Sequence, residues 1–397
     1  MNLSVIKNFF LERVNLENWL CLSIFLLPTY LIKVDIFIFP TNILEIIIAV
    51  GFFWWFLDRK HTFSFRTAQI KYTKYLLPLG LIFFGLITGT ILSGNYRVGL
   101  GIIKGWFIFP LLFLFVSSEI LDSQKLKRLF QWFYFSALTI ALVSVGYWFF
   151  GQMTFDARLK AVFNSPNYLA MYLSPAIAIG LVLFRENKKF YFASLGLIFL
   201  AIFFTYSFSA WIAVAASSIV TIFLTKGVSK RTLCGLAGII LFILISFFVF
   251  ELKNKKVQDV VSFSERSSVS SRLMIWRTAE KLIQDNVFWG IGPGNFQNKY
   301  LEYQKFYPPY LEWAVPHPHN IFLAFWLYSG ITGLFGFLFL LRIFFREFFK
   351  EQKNALKFMA LGMMIIFLIQ GLADTTYFKN DLAIIFWLAC LGMMKKL

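Results

Sequence analysis

The feature that most constrains this chain is a recurrence of uninterrupted apolar windows from one end to the other. Each runs about 17 to 22 residues, enough to cross a hydrocarbon layer roughly 30 Å thick as a helix. Runs such as 43–57 and 234–250 show no alternation of apolar and polar positions, so they do not read as strands of a closed barrel. With 59% apolar and only 15% charged residues, no water-soluble core could hide so much apolar surface. The pattern predicts an all-α fold, a polytopic transmembrane helical bundle of about twelve spans. They fall at 18–33, 41–57, 75–93, 104–119, 129–150, 167–184, 190–206, 208–225, 232–250, 319–345, 356–373 and 381–394. This divides the chain into an N-terminal membrane bundle (1–250), a long polar loop (251–318) and a C-terminal group of spans (319–397).

Basic residues set the orientation. Alternate loops carry clusters such as Lys125, Lys127 and Arg128, or Arg342, Arg346 and Lys350, and together hold most of the 38 lysines and arginines. The opposite short loops hold only Lys33, Arg97, Lys104, Arg158, Lys160 and Lys379. By the positive-inside rule both termini are expected in the cytoplasm and the long loop at the outer face of the cytoplasmic membrane. The first apolar run lacks a small-residue cleavage site and reads as a retained anchor. The net charge of +18 then reads as topological charge and headgroup contact rather than a nucleic-acid footprint. Cys21, Cys234 and Cys390 are too scattered for a disulfide framework or a thiolate metal site. No Gly-rich phosphate cradle is present, so no nucleotide cofactor is expected.

Polar chemistry gathers in and around the long loop. From Ser271 to Asp285, Leu273, Ile275, Trp276, Ala279, Leu282 and Ile283 recur near helical spacing, which predicts an amphipathic helix on the bilayer. Arg272 and Arg277 on that helix need not point the same way, and snorkelling or headgroup contact accounts for both if the loop is taken alone. Gly290-Ile291-Gly292-Pro293-Gly294-Asn295 reads as a tight turn. The loop ends in Pro316-His317-Pro318-His319-Asn320, which holds two of the three histidines.

In order and spacing these segments resemble the O-antigen ligase and polymerase superfamily. The matching residues are Ser271-Arg272, Trp276 and Ala279, then Gly290 to Phe296, then His317-Pro318-His319-Asn320 with Gly330-Ile331-Thr332-Gly333. Upstream, Arg158 with Phe163-Asn164-Ser165-Pro166-Asn167 is similar to the family's Arg before an Asn-Pro-Asn turn, and Asp374 to its C-terminal acidic position. One position departs from the pattern: Phe208, between Ser207 and Ser209, stands where many members carry arginine. The resemblance implies transfer of a glycan from a polyprenyl-diphosphate carrier to an acceptor, lipid or glycan, at the outer membrane face. It also implies direct displacement with inversion and no required metal. His319 is then the candidate base and Arg272 its catalytic partner, with Arg158, Asn167, Arg277, His317, Asn320 and Asp374 expected around the substrate.

The residues suit that chemistry. An imidazole with an ordinary pKa near 6.5 can take a hydroxyl proton at neutral pH, and guanidinium forks engage diphosphate oxygens in pairs. Other readings stay open on the residues alone. A His-x-His pair can bind zinc, although no third ligand stands at a recognised spacing, or it can be structural, with His317 capping the following helix. Ligase and polymerase share these motifs. A transporter or flippase of lipid-linked glycan would also have about twelve helices, but it would place paired ionisable groups near the bilayer midplane, and the spans are nearly free of them.

Overall fold

The computed structural model describes residues 15–36, 39–58, 65–225, 268–307 and 315–394. The expected span 232–250, the first part of the polar loop and both chain ends lie outside the described residues. What is described is a helical bundle: α1 (Leu16–Phe25), α2 (Ile43–Leu57), α3 (Phe65–Ser93), α4 (Tyr96–Ile120), α5 (Ser123–Phe149), α6 (Pro166–Leu183), α7 (Lys188–Phe203), α8 (Phe208–Leu224), α9 (Ser268–Asp285), α10 (Phe296–Tyr303), α11 (Ile321–Lys350), α12 (Ala355–Gly371) and α13 (Asn380–Met394). By length and composition five of these can cross a membrane: α3 from Tyr72, α4, α5, α6 and α11. Large apolar side chains such as Phe56, Leu76, Phe192 and Phe223 face outward, as expected where lipid rather than water is the solvent. The protein is a membrane protein on these grounds.

Local chemistry sets where many helices begin. The side chains of Asn15, Asn42, Asp122, Ser165, Asn187, Asn320 and Asn354 each accept a first-turn N–H at the start of α1, α2, α5, α6, α7, α11 and α12. These caps satisfy donors that a helix start leaves unpaired.

Three details differ from the sequence expectation. The window 18–33 is not one span: α1 stops at Phe25 and a 3-10 turn, Leu27–Leu31, follows. Pro28 explains the break, because it lacks an N–H and disfavours helical geometry at Leu27. The chain then forms a short antiparallel hairpin, β1 (Lys33–Ile36) and β2 (Phe39–Asn42), pairing Lys33 with Asn42 and Val34 with Thr41. The fold is therefore not purely helical. Third, α4 begins at Tyr96 rather than 104 and passes through a π-helical turn, Lys104–Ile108. Lys104, expected in a loop, is tolerated on the helix because its ammonium meets Glu45 at 2.9 Å and the Pro40 carbonyl at 2.6 Å.

The joint between α3, α11 and the polar loop matters most for the site. Inside α11, Gly330 takes φ 64 and ψ −172, a conformation close to glycine-only, and breaks the helical hydrogen-bond ladder. The freed groups are recovered by the turn after α9: Ile291 N–H donates to Leu327 O at 2.7 Å and Ile331 N–H to Val287 O at 3.2 Å. The Gly290-to-Asn295 turn forms as its sequence predicts, but it is wedged against α11 and α3 rather than lying free. Gly89 of α3 comes so close that an added methyl group would sit 3.2 Å from the Gly292 Cα and from the Trp289 carbonyl. Non-helical backbone beside membrane helices is stable when protein buries and satisfies it in this way. Aromatic packing then joins α4, α11 and the turn 372–379, with Phe325 against Tyr377 at 5.4 Å and Phe107 against Tyr377 at 5.2 Å.

Candidate functional site

The start of α6, the start of α8, the first turns of α9, the residues before α11 and the turn between α12 and α13 converge on one carboxylate, Asp374, which is 1% exposed. Its Oδ1 lies 3.0 Å from His319 Nδ1 and accepts from Asn167 Nδ2 at 3.3 Å. Its Oδ2 accepts from the Ser209 hydroxyl at 3.2 Å and lies 3.6 Å from an Arg272 guanidinium nitrogen. Burial alone would push this carboxyl up; the His319 hydrogen bond, the Arg272 charge and the Asn167 amide outweigh it and hold Asp374 below the usual carboxylate range. The ionised carboxylate only accepts, so Nδ1 of His319 donates the hydrogen bond between them.

His319 is held from its backbone as well. It adopts φ 47, a left-handed conformation uncommon for a residue with a side chain, and its carbonyl accepts from Trp276 Nε1 of α9 at 3.3 Å. On the next residue, Asn320 Oδ1 caps α11 while Nδ2 donates to Leu372 O at 3.1 Å. Both ends of that amide are engaged, so the side chain fastens α11 to the turn that carries Asp374. Arg272 is fixed by Nε donating to Ala373 O at 2.9 Å. Arg158 donates from Nε to Thr205 O at 2.8 Å and from a terminal nitrogen to Asn167 Oδ1, and burial lowers its pKa from the ordinary arginine value, opposed by Asp156 and Asp374. Asn167 thus bridges Arg158 to Asp374. Both guanidinium side chains remain partly open, 13% for Arg158 and 21% for Arg272.

Six of the eight residues singled out from the sequence meet here: Arg158, Asn167, Arg272, His319, Asn320 and Asp374. Asp374, expected to touch substrate, is a buried hub whose two oxygens are already engaged. His317 turns the other way, its Nδ1 2.8 Å from the Tyr328 hydroxyl and its ring edge-on to Trp106; burial, then the Lys379 charge, pulls its pKa down to about 3. The cap of α11 is Asn320, not His317. Arg277 is exposed and makes no side-chain hydrogen bond or ion pair among the described residues. Phe208 packs edge-on against Trp211 at 5.5 Å, next to Ser209. Ser209 and Thr205 carried no sequence signal beyond their place beside Phe208. Among the described residues no three His, Cys, Asp or Glu side chains gather closely enough to hold a metal ion.

This constellation can do one chemical task well: it presents a carboxylate-oriented imidazole beside two fixed, partly exposed guanidinium groups. Residues 193–338 match a family model described as O-antigen ligase. The match takes in Ser209, Arg272, Trp276, His319 and Asn320, while Arg158, Asn167 and Asp374 fall outside it. No curated protein matches the chain.

Proposed function

We propose, from the match of residues 193–338 to the O-antigen ligase family model, that this chain is a glycosyltransferase of the ligase kind at the outer face of the cytoplasmic membrane. It moves a glycan from a polyprenyl-diphosphate carrier to an acceptor hydroxyl. The observation that supports this best is the His319–Asp374 pair, 3.0 Å apart, with Arg272 and Arg158 converging on the same carboxylate.

On this reading His319 Nε2 takes the proton of the acceptor hydroxyl as its oxygen attacks the anomeric carbon. The bond from that carbon to the diphosphate breaks, its electron pair leaves with the carrier, and the configuration inverts. Asp374 keeps the imidazole in the productive tautomer and stabilises the imidazolium that forms. The open edges of Arg272 and Arg158 face the charge that builds on the departing diphosphate. Asn320 and Trp276 hold His319 in place, and Asn167 and Ser209 hold Asp374. About twelve spans, cytoplasmic termini and an outer-face loop complete the picture.

The test is transfer by purified protein from a lipid-linked glycan to candidate acceptors. His319→Ala should abolish product while leaving membrane abundance and melting unchanged. Transfer at the wild-type rate in that variant would remove the base assignment, and a mixture extended only by glycan-on-glycan addition would identify a polymerase.

A further inference from the structure

We propose that the cavity between α6, α12 and α13 binds a water molecule, which joins the Gln370 amide to the Met171 carbonyl behind the turn that carries Asp374.

Gln370 is completely buried on α12, and neither its Nε2 nor its Oε1 has a hydrogen-bond partner among the described residues. A buried amide left so costs more than an apolar side chain of the same shape, so its place here calls for a partner. Gln370 lines a cavity of about 10 Å³ together with Met171, Pro175, Met363, Met364 and Thr376. That space suits a single water, provided that polar neighbours hold it.

Pro175 supplies the second polar neighbour. It lies inside α6, a helix long and apolar enough to cross a membrane. Its lack of an N–H removes the helical donor for the carbonyl four residues back, that of Met171. Membrane helices tolerate proline where an ordered water or a neighbouring side chain recovers the freed carbonyl. Thr376 adds a third polar atom, since its hydroxyl donates to Phe367 O at 2.9 Å and its oxygen can still accept. The ligand chemistry is a small neutral molecule that both donates and accepts. A water there pairs with the Gln370 amide and gives a proton to Met171 O or Thr376 Oγ1.

The position borders the frame of the Asp374 cluster. The first turn of α6 carries Asn167, which donates to Asp374, and the Gln370 carbonyl accepts the Ala373 N–H at 3.1 Å. The water thus bridges, from behind, the helix that holds Asn167 and the turn that holds Asp374.

The inference stands apart from the transferase reading and is tested without substrate. Full-length protein in a neutral maltoside detergent is exposed to short X-ray pulses, which make hydroxyl radicals from water wherever it lies. Methionine oxidation is then followed by peptide mass spectrometry. Met363 and Met364 line the cavity and Met359 and Met393 do not, while all four are at most 2% exposed and so are shielded alike from bulk radicals. The first pair should be oxidised about threefold faster or more than the second. Gln370→Leu should bring that ratio down to about one, whereas Gln370→Asn, which keeps the amide, should retain it. Equal rates for the two pairs in the wild type would show a dry cavity and overturn the site, whether or not either variant folds. A ratio unchanged in folded Gln370→Leu protein would overturn it as well, because the amide would not be what holds the water. Neither result touches the His319–Asp374 reading, which has its own transfer assay.

Discussion

Replacing Asp374 by Asn probes the link between the buried hub and the base. The substitution keeps shape and removes charge. On the proposed mechanism the imidazolium formed during transfer has a carboxylate oxygen 3.0 Å from Nδ1, worth ~5.5 kcal/mol at an effective dielectric of about 20. A third of the His319 side chain is open to solvent, 32%, and screening reduces that figure to ~3 kcal/mol. At about 1.4 kcal/mol per decade, kcat should fall between about a hundredfold and ten-thousandfold. The new amide also presents an N–H toward either Arg272 or His319, two groups that themselves donate there, so melting should drop by about 1–3 kcal/mol. The assay is single-turnover transfer by purified protein from a lipid-linked glycan, with thermal melting of each variant and KM measured separately. Loss confined to kcat, with donor KM within a few fold, is the expected signature. A variant whose kcat stays within threefold of wild type would refute both the orientation of His319 by Asp374 and the charge argument behind it.

Two further outcomes follow from the geometry. His317 binds its proton only near pH 3 in the folded protein but near 6.5 when unfolded, so its contribution to stability is complete above about 6.5 and falls by about 1.4 kcal/mol for each pH unit below it. Wild type should lose about 2 kcal/mol between pH 7 and 5 that His317→Gln does not, and identical melting slopes in the two proteins would refute the assignment. Gly330→Ala should abolish recovery of folded protein, judged by size-exclusion chromatography, because the new Cβ would come 2.0 Å from the Phe288 carbonyl in a backbone conformation that L-residues avoid; a monodisperse variant with wild-type melting would show that the break in α11 is not required.

The helices were legible because their signals are local. Apolar runs and Asn or Ser caps mark their starts, and the amphipathic stretch from Ser271 became α9, Ser268–Asp285. The hub was not legible, since Asp374 meets His319, Ser209 and Asn167 across 55, 165 and 207 residues, and no periodicity reaches that far. Its motif marked Asp374 as important but not as buried, so substrate contact was the natural expectation. The two histidines of the Pro-His-Pro-His turn looked paired in sequence. The φ of 47 at His319 divides them, sending one ring to Asp374 and the other to Tyr328. Likewise the turn at Gly290 was readable from its glycines, whereas its insertion into a broken α11 depends on a partner strand of backbone that only the fold supplies.

The charge arrangement connects these points. A chain with a net charge of +18 concentrates very little uncompensated charge at its convergence point, because each arginine there arrives with a carboxylate. Burying a lone guanidinium would cost several kcal/mol, so an unliganded site rich in arginine needs an internal counter-ion. Asp374 supplies it for Arg272, and the same carboxylate orients His319. On the proposed reading, a diphosphate at the open edge of Arg272 would give the arginine a second anionic partner without removing the first, and the imidazole would stay fixed.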